Sequence, residues 1–181
     1  MHWQRLIPFF PLVAMLGIAA AIDLRRRRIP NWVTLPLMLA GLVQSWTAAA
    51  TVVPLAAWLG LLAGGGLSLP LFVLGVRGGG DVKLLAAVGA WIGPKGVLLV
   101  YAGAAVAGMI LVLVQCAVQR RLLQLLNRTA LVAFNLRHVR LLGANNAAYS
   151  LTSSRTVDKP LPYAVPVLIA VVLVLWRWRA G

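Results

Sequence analysis

The sequence predicts an all-α polytopic membrane protein with about six transmembrane helices, on the strength of three observations. First, 61% of the 181 residues are hydrophobic and 11% are charged, whereas about a quarter of an ordinary soluble domain is charged. Second, the apolar residues form successive runs close to the roughly 20 residues that cross a hydrocarbon core about 30 Å thick. Third, these runs lack the short alternating pattern of a membrane β-barrel.

Six apolar segments follow one another along the chain. The first ends at an aspartate and four arginines, and the second opens at Pro30, a residue suited to the first turn of a helix. The fourth is short, because about 11 residues from Val82 to Ile92 rise only about 17 Å as a helix. Tryptophans near segment ends, Trp91 among them, are expected in interfacial aromatic belts. The segments are expected at about Leu6–Ile22, Pro30–Ala50, Leu55–Val76, Leu84–Ile92, Val97–Val118 and Leu161–Trp176.

The basic residues predict how these segments are oriented. If all six cross the membrane, alternate loops share a side, and one side then carries thirteen lysines and arginines while the other carries four. The positive-inside rule makes the richer side cytoplasmic and places both termini on the outer side. Asp23 and Asp81 then both lie at the cytoplasmic face at similar depth. A re-entrant fourth segment would invert the topology after it.

The first segment has a competing interpretation as a cleaved signal peptide, because it ends in the small residues Ala19, Ala20 and Ala21. The four arginines at residues 25–28 oppose that interpretation. Such a cluster directly after an apolar run resists translocation, so the segment is expected to stay in the membrane as a helix.

The charge and cysteine content narrow the function classes. A net charge of +14 would ordinarily suggest nucleic-acid binding, but the basic residues lie between apolar segments, as topology signals do. We therefore expect a lipid bilayer and no nucleic acid as partner. The single Cys116 and two distant histidines argue against a disulfide or a metal site. Residues 1–181 are expected to form one transmembrane domain, with a basic amphipathic cytoplasmic connector at about 119–160.

Two of the three acidic residues in the chain lie at the edges of apolar segments. An ionisable group at membrane depth is costly to keep, so Asp23 and Asp81 are candidates for a functional site. The third, Asp158, lies in the polar connector and carries less information. Two carboxylates a few ångströms apart cannot both ionise, so one can act as a general base toward water and the other as a general acid toward a peptide carbonyl.

The glycines before Asp81 suit such a site. Gly78 to Gly80 are expected to form a loop whose missing side chains allow φ > 0 and the close approach of an extended substrate backbone. Each piece also has a purely structural interpretation when it is taken alone. Asp23 could be a helix-end charge beside arginines, Asp81 an N-terminal cap and Lys83 a topology charge.

At these residues the chain resembles a known family, the prepilin peptidases, and in particular the small form associated with tight-adherence (Tad) pili. Residues 23–31, Asp-Leu-Arg-Arg-Arg-Arg-Ile-Pro-Asn, are similar to the family's aspartate followed by basic residues and Ile-Pro-Asn. Residues 78–84, Gly-Gly-Gly-Asp-Val-Lys-Leu, are similar to its Gly-x-Gly-Asp-x-Lys-Leu signature. A weaker similarity covers residues 161–166, Leu-Pro-Tyr-Ala-Val-Pro, at the opening of the last helix.

The resemblance implies an intramembrane aspartic endopeptidase that cleaves the basic leader of prepilin or pseudopilin precursors at the cytoplasmic face of the bacterial inner membrane. It implies Asp23 and Asp81 as the catalytic pair, with no metal or other cofactor. Larger members of the family carry a four-cysteine region and methylate the new N-terminus, whereas this short chain with one cysteine is expected to cleave without N-methylation. The supporting motif residues that carry over are Gly78, Gly80, Lys83, Pro30 and Asn31.

Two functions of other classes stay open at this point. Intramembrane carboxylates also serve as proton relays, so a small proton-coupled transporter is one alternative. It predicts uptake driven by a pH gradient and lost on neutralising Asp81, with no proteolysis. A structural subunit of a secretion apparatus is the other, and it predicts that function survives in a double Asp23→Asn, Asp81→Asn variant.

Overall fold

The computed structural model describes residues 7–47, 50–74, 78–118 and 163–180. Within these ranges the chain forms helices joined by turns and no β-strand, which confirms the all-α prediction for the described part. The predicted connector and Asp158 lie outside the described residues. After a 3₁₀ turn at Ile7–Phe9, the helices are α1 (Phe10–Arg26), α2 (Asn31–Gln44), α3 (Pro54–Val73), α4 (Gly79–Val118) and α5 (Ala164–Ala180).

Gly93 divides α4 into two helices, α4a (residues 79–92) and α4b (residues 94–118). Its φ of 72° and ψ of 178° lie far from helical values, in a region open mainly to glycine. Pro94 follows, and its fixed φ and missing N–H suit the first turn of the new helix. The break expected after the fourth apolar segment is therefore present.

α4a is a buried helix that runs antiparallel to α3. Every residue from Leu84 to Ile92 is buried, which explains why this stretch of sequence shows no polar face. Gly89 lies against Gly60, and Leu85 lies against Gly64. The residue numbers in contact therefore rise along one helix as they fall along the other. The close approach of the two helices depends on glycines at these positions.

α4b returns along α5, so the chain reverses direction at Gly93. Gly96, just after the turn, lies against Trp178 near the end of α5. Further along α4b, Gly108 lies nearest Pro166, near the start of α5. The two helices are therefore antiparallel, and α4a and α4b run in opposite directions through the bundle.

α1 is also antiparallel to α5. The rings of Phe9 and Trp178 lie with centroids 6.4 Å apart at one end of the pair. At the other end, a hydrogen bond joins Asp23 to Ala164. We refer to this second end of the bundle as the aspartate end.

Trp91 anchors α2 to α4a. Its indole N–H donates to the carbonyl of Leu37 at 2.9 Å, its ring lies against Gly41, and it is only 3% exposed. The hydroxyl of Thr51 donates to the carbonyl of Trp91 at 2.7 Å. The prediction of an interfacial belt position for Trp91 is wrong, because its N–H finds a partner inside the protein. By contrast, Trp46 is 77% exposed.

Two described helical ranges are long and apolar enough to cross a membrane, Pro54–Val73 and Gly79–Val114. A shorter apolar stretch covers Ala164–Trp178. The second range contains the reversal at Gly93, so it is folded back on itself rather than extended. Large apolar side chains such as Leu62 and Ile110 are more than half exposed, as expected of surfaces that face lipid. These features indicate a membrane protein; the six crossings and the position of the termini stay predictions.

Candidate active site

Asp23 lies on the buried face of α1. The first apolar segment was expected to end at about Ile22, but helix α1 continues past it to Arg26, so Asp23 is an internal residue of α1. Its side chain is only 5% exposed. A carboxyl group in such surroundings needs hydrogen-bond partners. The buried positions that precede it on the same face are Leu12, Leu16, Ala19 and Ala20.

The start of α5 supplies the partners. Oδ2 of Asp23 accepts a hydrogen bond from the backbone N–H of Ala164 at 2.9 Å, and the backbone N–H of Tyr163 also donates to this carboxyl group. The first N–H groups of a helix have no acceptor within the helix and carry partial positive charge, so a carboxylate satisfies and stabilises them. The contact joins residues 141 positions apart. Neither Tyr163 nor Ala164 was among the predicted site residues, and the weak Leu-Pro-Tyr similarity was the signal that pointed to them.

Asp81 lies in the first turn of α4a, at the aspartate end. Its backbone N–H donates to the carbonyl of Gly78 at 3.1 Å, and the residue is half-buried. Gly79 and Gly80 already belong to the helix, so the predicted glycine loop with φ > 0 is wrong. Among the described glycines only Gly93 has positive φ. An acidic residue in the first turn stabilises the helix dipole, which favours a helix that begins before Asp81.

The two signature glycines have different surroundings. A Cβ added at Gly80 would lie 3.1 Å from the Cβ atom and 3.1 Å from the carbonyl oxygen of Ile29. Gly80 therefore allows the start of α4a to pack against the connection between α1 and α2. Gly78 is exposed, and apart from its chain neighbours none of the described residues lies within 4 Å of the position that its Cβ would occupy. Its surface is open to an approaching chain.

Lys83 joins the second motif to the first. Its Nζ donates a hydrogen bond to Oδ1 of Asn31 at 3.0 Å, across 52 positions of sequence. Asn31 is the first residue of α2, and Pro30 before it has the extended conformation φ −75°, ψ 146° that precedes a helix. Pro30 and Asn31 thus lie where the connection from α1 turns into α2, next to α4a.

Three separate stretches of sequence therefore meet at the aspartate end: the 23–31 motif, the 78–84 motif and the start of α5. Asp23 is held by the helix N-terminus of α5, and Asp81 lies at the helix N-terminus of α4a. Within the described ranges, no three His, Cys, Asp or Glu side chains are grouped so as to hold a metal ion. The chemistry that this set of side chains offers is proton transfer between carboxyl groups, water and a bound substrate.

The chain is similar in sequence to proteins of one family. The model of the type IV leader peptidase family matches residues 10–113. A prepilin leader peptidase/N-methyltransferase of Klebsiella pneumoniae is 46% identical over 91 residues, which cover 45% of this chain and 39% of that protein. Proteins with the same name from Burkholderia pseudomallei strain 1026b and Dickeya chrysanthemi are 43% identical over 107 residues and 41% identical over 103 residues. These two matches cover 55% and 50% of this chain.

The chain thus spans little more than a third of the length of these relatives, 39% in the first case and 34% and 35% in the other two. The aligned part of the chain nevertheless includes both helices that carry the candidate aspartates, because the family match runs from the first residue of α1 into α4b. No solved structure gives a significant match.

Proposed function

Because this chain belongs to the type IV leader peptidase family, whose model matches residues 10–113, we propose that it cleaves the leader peptide from prepilin-like precursors. The observation that carries the proposal is the meeting of the two motifs at the aspartate end, where Lys83 bonds to Asn31 and Gly80 packs on Ile29. The names of the relatives, prepilin leader peptidases, support the same substrate class.

The proposed mechanism uses Asp23 and Asp81 as a pair of carboxyl groups, one ionised and one protonated. The ionised carboxylate takes a proton from water while the water oxygen bonds to the scissile carbonyl carbon. The protonated carboxyl group donates its proton to the carbonyl oxygen, which gives a neutral tetrahedral diol. When the diol collapses, the C–N bond breaks and a proton passes to the leaving amine. The bond from Ala164 supports this assignment, because it holds the Asp23 carboxyl group in one orientation.

We also propose that the six described helices cross the bacterial inner membrane, with the aspartate end at the cytoplasmic face and both termini outside. The reversals between successive helices support this topology, as does the basic cluster at residues 25–28, at the aspartate end. In this arrangement a precursor with a basic leader would be cut at the membrane surface, where water can reach the carboxyl pair. The motif similarities favour the small Tad form.

We expect cleavage without N-methylation, since the sequence contains a single cysteine. The test is co-expression of the chain with a tight-adherence prepilin in a host that lacks its own prepilin peptidase. A smaller product on gels, with an unmethylated new N-terminus by mass spectrometry, is the expected result. No size shift would contradict the proposed cleavage. Methyl transfer from S-adenosylmethionine by the purified protein would contradict the second part alone.

The bond between Lys83 and Asn31 gives a further prediction. Lys83→Met is expected to lower the cleavage rate about tenfold, because the bond holds the start of α4a, and therefore Asp81, against the start of α2. Its effect on the melting temperature is expected to be small, because an exposed hydrogen bond contributes only about 1 kcal/mol to the free energy of unfolding.

The control is Lys95→Met, which removes the same charge from an exposed residue next to Gly93, at the opposite end of α4a. It is expected to cleave at the wild-type rate. Equal losses in the two variants would show that overall charge, rather than the contact with Asn31, decides the effect.

A further inference from the structure

A groove on the outside of α1 lies beside the candidate active site. Its volume is about 830 Å³, within the roughly 300–1,000 Å³ of typical ligand sites. One face of α1, the connection to α2 and the first turn of α2 form its walls. Pro30 and Asn31 of the first motif line the groove, but Asp23 and Asp81 do not, so the proposed proton transfer takes place outside it.

The part of the groove along residues 18–22 of α1 is apolar. Ile18, Ala21 and Ile22 occupy neighbouring positions on one face of the helix, next to the buried face that carries Asp23. Trp32 completes the wall from α2 and is 64% exposed. An apolar surface of this kind is suited to hydrocarbon rather than to water.

The part of the groove beyond this surface is strongly positive. Arg25, Arg26 and Arg28 all line it and are exposed, and none of its described lining residues is acidic. The nearest acidic residue in sequence, Asp23, directs Oδ2 to the start of α5 instead. The helix rises about 10 Å from Ile18 to Arg25. One headgroup layer is only roughly 5–7 Å thick, so a lipid whose headgroup lies at Arg25 has its acyl chains at the depth of Ile18. The apolar and charged parts are therefore spaced like the chains and headgroup of a lipid.

The positive charge of the groove decides which ligand it can bind. Three arginines would repel the basic leader of a precursor from this groove, and the same holds for residues 119–160 of this chain, which contain seven lysines and arginines and one acidic residue. A small soluble anion would leave the apolar wall unused. An amphiphile with an anionic headgroup matches both parts of the groove.

We propose that this groove binds an anionic phospholipid, with its phosphate among Arg25, Arg26 and Arg28 and its acyl chains along Ile18 and Ala21. The proposal rests on the membrane placement given above and not on the peptidase chemistry. Arg27 offers a matched control, because it belongs to the same cluster but does not line the groove. Its φ of 52° ends α1 and directs the chain away from the helix axis.

The test titrates the purified full chain in detergent with phosphatidylglycerol and with phosphatidylcholine of the same acyl chains, and counts bound lipid by native mass spectrometry. Wild type is expected to prefer phosphatidylglycerol about tenfold or more. Arg28→Gln is expected to weaken phosphatidylglycerol binding about fivefold, whereas Arg27→Gln leaves it within about twofold of wild type. Equal losses in these two variants would overturn the proposal, because they would show an unspecific effect of charge.

A second pair of measurements separates lipid from other ligands. Ala21→Trp, at an exposed position, fills the apolar part and is expected to weaken binding of both lipids without any change of charge. Glycerol phosphate at the lipid concentration is expected not to displace phosphatidylglycerol; displacement by it, or by a basic leader peptide, would overturn the proposal. Asp81→Asn is expected to bind lipid like wild type, so that a failure of lipid binding and a failure of cleavage are told apart.

Discussion

Asp23→Asn and Asp81→Asn are each expected to reduce cleavage of a prepilin-like precursor to less than about one hundredth of the wild-type rate. A positioned general acid or base contributes about 10²–10⁴-fold to a rate, and an amide can serve as neither. In the proposed mechanism the two carboxyl groups act as a unit, so the double variant is expected to be no slower than the slower single variant. The measurement is the rate of the precursor size shift at equal amounts of membrane-inserted protein.

Asparagine is the informative replacement at position 23 because this residue also has a structural role. Its Oδ1 can still accept the hydrogen bond from Ala164, so the N-terminus of α5 keeps its partner and the melting temperature is expected to stay within a few degrees of wild type. Asp23→Leu would remove that acceptor and is expected to destabilise the protein by about 1–3 kcal/mol. Loss of cleavage in the asparagine variant is then a loss of chemistry rather than of folding.

Asp158→Asn is the matched control, because it removes the third acidic residue of the chain and is expected to cleave at the wild-type rate. Undiminished cleavage in either Asp23→Asn or Asp81→Asn would contradict the catalytic pair. Transport driven by a pH gradient, lost in Asp81→Asn, in a protein that cleaves no precursor, would favour the proton-coupled transporter instead.

The features that could be predicted from the sequence are those set by local patterns. Runs of apolar residues gave the helical class, and the glycine and proline at positions 93 and 94 marked a break between two helices. The sequence also allowed a longer first helix to be predicted, because the helical spacing of Leu12 and Leu16 continues to Asp23. That extension would have placed the aspartate inside α1 rather than after it.

The features that could not be predicted depend on partners far away in the sequence. The hydrogen bond from Ala164 to Asp23 spans 141 positions. No local sequence pattern predicts that the first N–H groups of one helix will bind a side chain of another helix. Tryptophan at the end of an apolar segment is typical of the membrane interface, but the carbonyl of Leu37 accepts a hydrogen bond from the indole N–H of Trp91 in the core. At Gly80, the reason for glycine is the contact with Ile29 and not the φ > 0 that glycines before a site usually suggest.

The contact between α3 and α4a gives the second large effect. Gly60→Ala is expected to destabilise the protein by about 3 kcal/mol, because the new Cβ would overlap the backbone carbonyl of Gly89, and a backbone atom cannot rotate away as a side chain can. For a chain of this size that corresponds to a melting temperature about 6–12 °C lower. Differential scanning fluorimetry in a fixed detergent measures it.

Gly66→Ala is the control on the same helix. Apart from its neighbours on the helix, none of the described residues lies within 4 Å of the Cβ position at Gly66. Alanine there is expected to stabilise the protein by about 0.5–1 kcal/mol through its better helix propensity, and so to raise the melting temperature slightly. A similar loss of stability in both variants would mean that α3 tolerates no side chain for reasons other than the contact with Gly89.

The same contact is expected to link stability to the site, because α4a carries Asp81 in its first turn and packs against α3 through Gly89. Gly89→Ala is expected to act like Gly60→Ala, since its Cβ would overlap the carbonyl of Gly60. Once one alanine has moved the helices apart, the second alanine overlaps less. The double variant is therefore expected to lose less stability than the sum of the two single losses.

Both single variants are also expected to lower cleavage at temperatures where they remain folded, because a shift of about 1 Å at a catalytic group can reduce a rate about 10²-fold. Additive stability losses with wild-type cleavage would show that α4a does not depend on this contact for its position.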